Sequence, residues 1–225
     1  MKSTSWSDKP LSKVTILFSA MAFSVATVPC HKAHAANGFC TYETWDWDAT
    51  QRKAVNFRKV KKPASELTAE ERGDVAGCTV CREDQGEVRI GSLAPFLVCK
   101  NFEERIRRGI AQAIADGFAI ETITGYRPGK SKGPLNAVGQ RTLFSNHSFG
   151  TAIDFNPAKN GLYDFCVVFG PACKLIRGGT YSVGVSGTVT ADSALYRAMK
   201  KEGFKWGGEI AGKQKDFMHF SLTGY

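Results

Sequence analysis

Four side chains in this sequence have the types and spacing to hold a metal ion and use it. His147 stands seven positions before Asp154, and Asp216 stands three before His219. Two imidazoles and one carboxylate form a donor set for zinc that leaves a fourth position for water. A second carboxylate beside them can accept a proton from that water. Each piece also has a plainer reading. A histidine in a Ser- and Gly-flanked loop can simply hydrogen-bond the loop, and Asp154 before Phe155-Asn156-Pro157 can be an ordinary turn residue. Arg127 within Gly125-Tyr126-Arg127-Pro128 can be a solvated cation.

The chemistry depends on the elements that carry these residues. In Thr151 to Asn156, read as a strand, alternation places Ala152 and Asp154 on one face and Ile153 and Phe155 on the other. A strand from Phe217 to Leu222 would turn Met218, Phe220 and Leu222 toward the core and His219 and Ser221 toward a cleft. Asp216 has the wrong parity to share the face of His219 in a regular strand, so it is expected in a turn or at a bulge. Upstream, Asn101 with Glu104 suggests a capped helix start. Phe102, Ile106, Ile110 and Ile114 would mark the apolar face of that helix, and Gly117 its stop. Ala119 to Thr124 reads as a strand ending at the Gly125 turn. A second helix is expected from about Ala191 to Glu202, with Leu195, Ala198 and Met199 inward. Few helices and several short strands, without repeated βαβ units, predict an α+β fold: a mostly antiparallel small sheet with packed helices and the cleft on the sheet.

The chain is 225 residues long with 43% hydrophobic and 23% charged residues, which excludes a disordered, collagenous or polytopic membrane protein. Lys2, Lys9 and Lys13 precede an apolar run from Val14 to Val28 and then Ala33-His34-Ala35, the pattern of a secretory signal peptide cleaved after Ala35. The run is too short to span a bilayer, so no integral membrane segment is expected in the mature chain. Export to the periplasm or beyond follows. Loss of residues 1–35 also leaves two histidines, His147 and His219, and six cysteines.

Six cysteines in an exported chain most simply mean three disulfides, with fifteen possible pairings. Cys166 with Cys173 is the expected short-range pair, leaving Cys40, Cys78, Cys81 and Cys99 to pair among themselves. Cys78-Thr79-Val80-Cys81 also has the spacing of a zinc knuckle or redox pair. Residues 36–91, aromatic, then basic, then acidic, read as an irregular disulfide-tied extension, and residues 92–225, where the pattern becomes regular, as the domain that carries the candidate metal ligands.

Three motifs in order resemble one family. Ser145-Asn146-His147-Ser148-Phe149-Gly150-Thr151-Ala152-Ile153-Asp154 is similar to the Ser-x-His-x-x-Gly-x-Ala-x-Asp pattern of the VanY-like D-alanyl-D-alanine carboxypeptidase and L-alanyl-D-glutamate endopeptidase family. Lys205-Trp206-Gly207-Gly208 followed by Asp216-Phe217-Met218-His219-Phe220 resembles its C-terminal segment, and Gly125-Tyr126-Arg127-Pro128 its arginine loop. The resemblance covers about residues 92–225. It implies one catalytic zinc held by His147, Asp154 and His219, with Asp216 as general base and acid and Arg127 stabilising the oxyanion. Ser145, Gly150, Gly207 and Gly208 would shape the cleft, or serve as tight turns and close backbone approaches. Trp206 would either line the groove or pack beneath it.

The resemblance implies a secreted zinc metallopeptidase acting on peptidoglycan stem peptides. Asp at position 216 favours the L-alanyl-D-glutamate endopeptidase branch over the carboxypeptidase relatives, many of which carry Glu there. A D-alanyl-D-alanine carboxypeptidase is the first alternative, and a non-catalytic wall-binding or zinc-stabilised module the second. The stretch 161–190 aligns with nothing in the family pattern. Of the net charge of +9, Lys2, Lys9, Lys13 and Lys32 against Asp8 account for +3, leaving +6 on the mature chain. No nucleic-acid motif accompanies that charge, so an anionic wall polymer or membrane surface is the better partner, with solubility alone an equal reading. A monomer is the expected state.

Overall fold

A computed structural model describes residues 38–224, and the expected signal peptide lies outside them. The strands are β1 (Phe39–Asp48), β2 (Lys53–Pro63), β3 (Gln85–Val88), β4 (Phe96–Cys99), β5 (Ile123–Thr124), β6 (Lys130–Leu135), β7 (Arg141–Phe144), β8 (Ala152–Phe155), β9 (Leu162–Asp164), β10 (Lys174–Arg177), β11 (Lys205–Trp206), β12 (Lys215–Asp216) and β13 (His219–Ser221). The α-helices are α1 (Ala69–Arg72), α2 (Glu103–Ala115) and α3 (Ala194–Lys201). The fold is α+β. Its small sheets have the orders β2-β1-β6-β7, β10-β9-β12, β11-β13-β8-β5 and β3-β4. Their pairings are antiparallel apart from a parallel contact of β1 with β6 at Asp46 and Lys130.

The core lies between the helices and one face of β8 and β13. Ile153, Phe155 and Phe220 are buried in it with Ile106, Ile110, Leu195 and Met199. Phe155 and Phe220 meet edge to face at 5.6 Å, a favoured aromatic geometry. α2 lies close to α3 at Gly109, where a β-carbon would fall 2.8 Å from the Met199 sulfur.

The helices differ from expectation at their ends. A 3-10 turn over Lys100–Phe102 precedes α2, Phe102 takes the N-cap position, and the Asn101 side chain donates instead to the Ala76 carbonyl. Glu103 and Glu104 in the first turn meet the positive end of the helix dipole in its place. Ile114 is 42% exposed while Ala113 is buried. At about 100° per residue, position 113 returns to the face of Ile106 and position 114 overshoots it. α3 starts three residues later than expected because Ser193 is its N-cap, its hydroxyl accepting from the Tyr196 N–H. Of the strand expected over 119–124 only Ile123–Thr124 pairs with β8. The N–H groups of Glu121 and Thr122 are taken by the Asn156 side chain, which satisfies them without a ladder.

Residues 39–63 form a long hairpin and are not irregular, which corrects the sequence reading. Cys40, Tyr42 and Thr44 alternate inward along β1, whereas β2 is largely exposed and lysine-rich, as a protected sheet edge often is. Its basic run conceals a strand from pattern reading. Three disulfides join Cys40 to Cys81, Cys78 to Cys99 and Cys166 to Cys173. The Cys78 and Cys81 thiols therefore belong to separate bridges, which removes the zinc-knuckle and redox-pair readings. Cys78–Cys99 ties the loop after the hairpin to β4. Replacing both with serine is expected to cost about 3 kcal/mol, measured as a lowered denaturant midpoint under oxidising conditions.

Candidate metal centre

The site is assembled on β8 and β13. Asp154 and His219 are direct cross-strand partners, flanked by the pairs Ile153–Phe220 and Ala152–Ser221. Alternation sends Ile153, Phe155 and Phe220 into the core, so Asp154 and His219 share the opposite face. His147 reaches them from a single 3-10 turn, Asn146–Phe149, closed by Gly150 in the left-handed conformation. The turn is fixed by hydrogen bonds from Ser148 N–H to Ser145 O and from Thr151 N–H to Asn146 O. The seven-residue spacing from His147 to Asp154 is thus one turn plus half a strand.

The donor atoms converge. His147 Nε2 lies 3.0 Å from Asp154 Oδ1 and 3.2 Å from His219 Nδ1, and His219 Nδ1 lies 3.1 Å from Asp154 Oδ1. All three residues are buried. A tetrahedral zinc with bonds of about 2.0–2.1 Å separates its ligands by about 3.3 Å, so this triangle suits such an ion. The second shell agrees. His147 Nδ1–H donates to the Gly125 carbonyl at 2.8 Å, which leaves the Nε2 lone pair facing the triangle. Arg127 Nη2 donates to Asp154 Oδ2 at 3.2 Å and turns Oδ1 toward the histidines.

Protonation follows from the surroundings. Burial pushes His147 down to about 4 despite the nearby Asp154 carboxylate, so its imidazole is neutral at neutral pH. Burial works against the Asp154 carboxylate, but the two imidazoles bonded to it hold it well below the usual range. A neutral imidazole and an ionised carboxylate are the forms a cation requires.

The triangle opens onto a cleft of about 610 Å³ that Asp216, Arg127 and Ser145 also line. Asp216 lies neither in a turn nor at a bulge of the strand of His219. It ends β12, paired with Leu162 of β9 in the neighbouring sheet, and the turn at Phe217 and Met218 separates it from β13. That turn resets the alternation, so Asp216 and His219 reach the same cleft. It also corrects the expectation for Met218, which lines the cleft, while Phe217 enters the core and stacks on Tyr181 at 3.7 Å. Arg127 Nε is buried without a hydrogen-bond partner among the described residues, as is Ser145 Oγ.

The glycines act by close approach. A β-carbon on Gly207 would lie 2.2 Å from the Asp216 carbonyl oxygen. One on Gly150 would lie 2.3 Å from the Cys99 nitrogen, at a φ of +65°. Gly150→Ala is therefore expected to destabilise the fold by about 2 kcal/mol or more, read as a drop in melting temperature. Trp206 packs beneath the site: it is buried, and its Nε1–H donates to the Phe217 carbonyl at 2.9 Å.

Sequence reasoning does not find Trp47, Arg52, Lys132 or Arg141, which also line the cleft. Burial lowers the pKa of the Lys132 ammonium and the Asp216 carboxylate, which lines the same cleft, works against that shift. Its only signal in the sequence is a charge in a Lys-Ser-Lys-Gly run that reads as solvated.

No curated protein and no solved structure matches the chain. Residues 138–222, which hold His147, Asp154, Asp216 and His219 and exclude Arg127 and the β1–β2 hairpin, are similar to the family described as D-alanyl-D-alanine carboxypeptidase.

Proposed function

We propose that the protein is an exported zinc-dependent peptidase that hydrolyses amide bonds in peptidoglycan stem peptides, acting as an L-alanyl-D-glutamate endopeptidase. The observation that carries the reading is the convergence of His147, Asp154 and His219 donors within 3.2 Å on the floor of a cleft, inside the segment similar to a peptidase family. These three residues would hold the ion. Zinc bound there supplies Lewis acidity and lowers the pKa of water toward about 7.

The chain's own groups supply the rest. The Asp216 carboxylate accepts a proton from the attacking water and returns it to the leaving amine nitrogen. Arg127, anchored through Nη2 to Asp154, keeps guanidinium donors for the oxygen that gains charge as the carbonyl carbon becomes tetrahedral. Lys132 lines the same cleft as Asp216 and attracts it electrostatically. Three disulfides support an oxidising compartment and hence export of residues 36–225 after removal of residues 1–35. Among the described residues, no helix is long and apolar enough to cross a membrane.

The description of the matched family favours a second reading, a D-alanyl-D-alanine carboxypeptidase using the same groups. Mass analysis of products from defined muropeptides separates the two: the endopeptidase releases a peptide beginning at D-glutamate, the carboxypeptidase a single alanine. Zinc content measured on the same sample tests the shared premise. About one zinc per chain with release that follows chelation and add-back supports hydrolysis; bound zinc with no release from any muropeptide supports a non-catalytic zinc module.

A further inference from the structure

Beyond the metal centre, the cleft is strongly cationic. Arg52, Arg127, Lys132, Arg141 and Arg177 line it against two carboxylates, Asp154 and Asp216. Arg127 is paired with Asp154. Arg52 and Arg141 are held differently. Arg52 Nη2 donates to the carbonyl of Ile176, at 2.8 Å, and Arg141 Nη1 donates to the carbonyl of Gly133. A carbonyl positions a guanidinium without neutralising it, and neither arginine has a carboxylate partner among the described residues.

The acids nearest Arg52 in the chain are committed elsewhere. Asp46 forms a two-pronged pair with Arg58 at 2.7 and 2.9 Å, and Asp48 accepts from the Gln51 backbone and side chain at 2.7 and 2.9 Å. The hairpin turn that carries Arg52 is pinned beside the start of β7. Ala49 N–H donates to Gly139 O at 3.0 Å, and Asp48 bridges to Gln140, the neighbour of Arg141. The turn also spans to β10 through the Arg52 bond to Ile176. Two forked guanidiniums from two hairpins therefore stand at one cleft, each fixed at one nitrogen with further donors left over.

We propose that Arg52 and Arg141 form a carboxylate clamp, so that the substrate is a peptide bearing at least two carboxylates and the β1–β2 hairpin is a substrate-binding wall. This rests on the peptide-hydrolysis reading for its catalytic consequence and adds a role for a segment outside the family match. Field focusing in such a cleft also speeds capture of anionic peptides, an effect that salt weakens.

The test uses the zinc-loaded protein and two probes, an L-alanyl-D-glutamyl peptide with free carboxylates and the same peptide with them amidated. The wild type is expected to show a KM about 10-fold lower for the acid form, a preference that shrinks with added salt. Arg52→Asn, chosen because asparagine suits the φ of +52° there, and Arg141→Gln should each raise KM for the acid form several-fold with kcat unchanged. Neither should alter KM for the amide. Equal wild-type KM values, or equal losses on both probes, overturn the clamp. Calorimetric binding of both peptides to the same proteins separates the two ideas. Preferential binding of the acid peptide, lost in the variants, without turnover, sustains the clamp and sinks hydrolysis; turnover with no binding preference does the reverse. Arg52→Lys, which keeps the charge and removes the fork, guards against a folding artefact and should restore binding only in part.

Discussion

Alanine at His219 is expected to remove bound zinc and turnover together. His219 supplies one of three donors that lie 3.0 to 3.2 Å apart, so its loss leaves an imidazole and a carboxylate, a set too small for tight zinc binding. Loss of an outer partner of a ligand costs about 10- to 100-fold in affinity or activity, and loss of the ligand itself should exceed that. The fold should survive. His219 faces the cleft from β13, whereas its neighbour Phe220 carries the core contact to Phe155. Metal analysis after dialysis, peptide release and a far-ultraviolet spectrum check the three parts. Retention of one zinc per chain by His219→Ala would show that the three donors do not form the binding site.

Asp216→Ala is expected to behave in the opposite way, keeping zinc while turnover falls by about 10²- to 10⁴-fold, the range for a lost general acid–base group. The division follows from placement. The three converging donors come from β8, β13 and the His147 turn, while Asp216 comes from β12 in another sheet and lines the cleft beside them. Asp216→Asn should be similarly slow, because an amide fills the same space and cannot take the proton. Zinc release by Asp216→Ala would instead make Asp216 a ligand and overturn the assignment of base and ligand roles.

How much of this was legible varies with the physics of each element. Alternation in Ala152-Ile153-Asp154-Phe155 suffices to place Asp154 opposite the core, because a strand has only two faces and Ile153 and Phe155 claim one of them, although both faces of β8 are buried. The same rule fails one turn later at Met218, since a two-residue turn resets parity and leaves no apolar signature. Helix registers follow from periodicity, yet the start of α2 is displaced because Asn101 bonds the Ala76 carbonyl, a partner distant in sequence. The Cys166–Cys173 pairing is legible from proximity, whereas the pairing of Cys40 with Cys81 depends on the fold of the hairpin. The hairpin itself is hidden because β2 is an exposed edge strand whose lysines read as a solvated run. Arg52 and Arg141 were out of reach for the same reason: nothing in a local pattern says that two distant hairpins share a cleft.

The sheet order β11-β13-β8-β5 has a consequence for the timing of folding. β13 follows β5, β8 and β11 along the chain, yet it occupies an interior position, between β11 and β8. Its neighbours β8 and β11 have to hold a gap, or stay loosely associated, until β13 inserts and brings His219 opposite Asp154. Pairing partners 65 residues apart make this a slow, late event. The donor triangle of His147, Asp154 and His219 is consequently incomplete until β13 is seated, so metal binding at the cleft reports on the docking of that one strand.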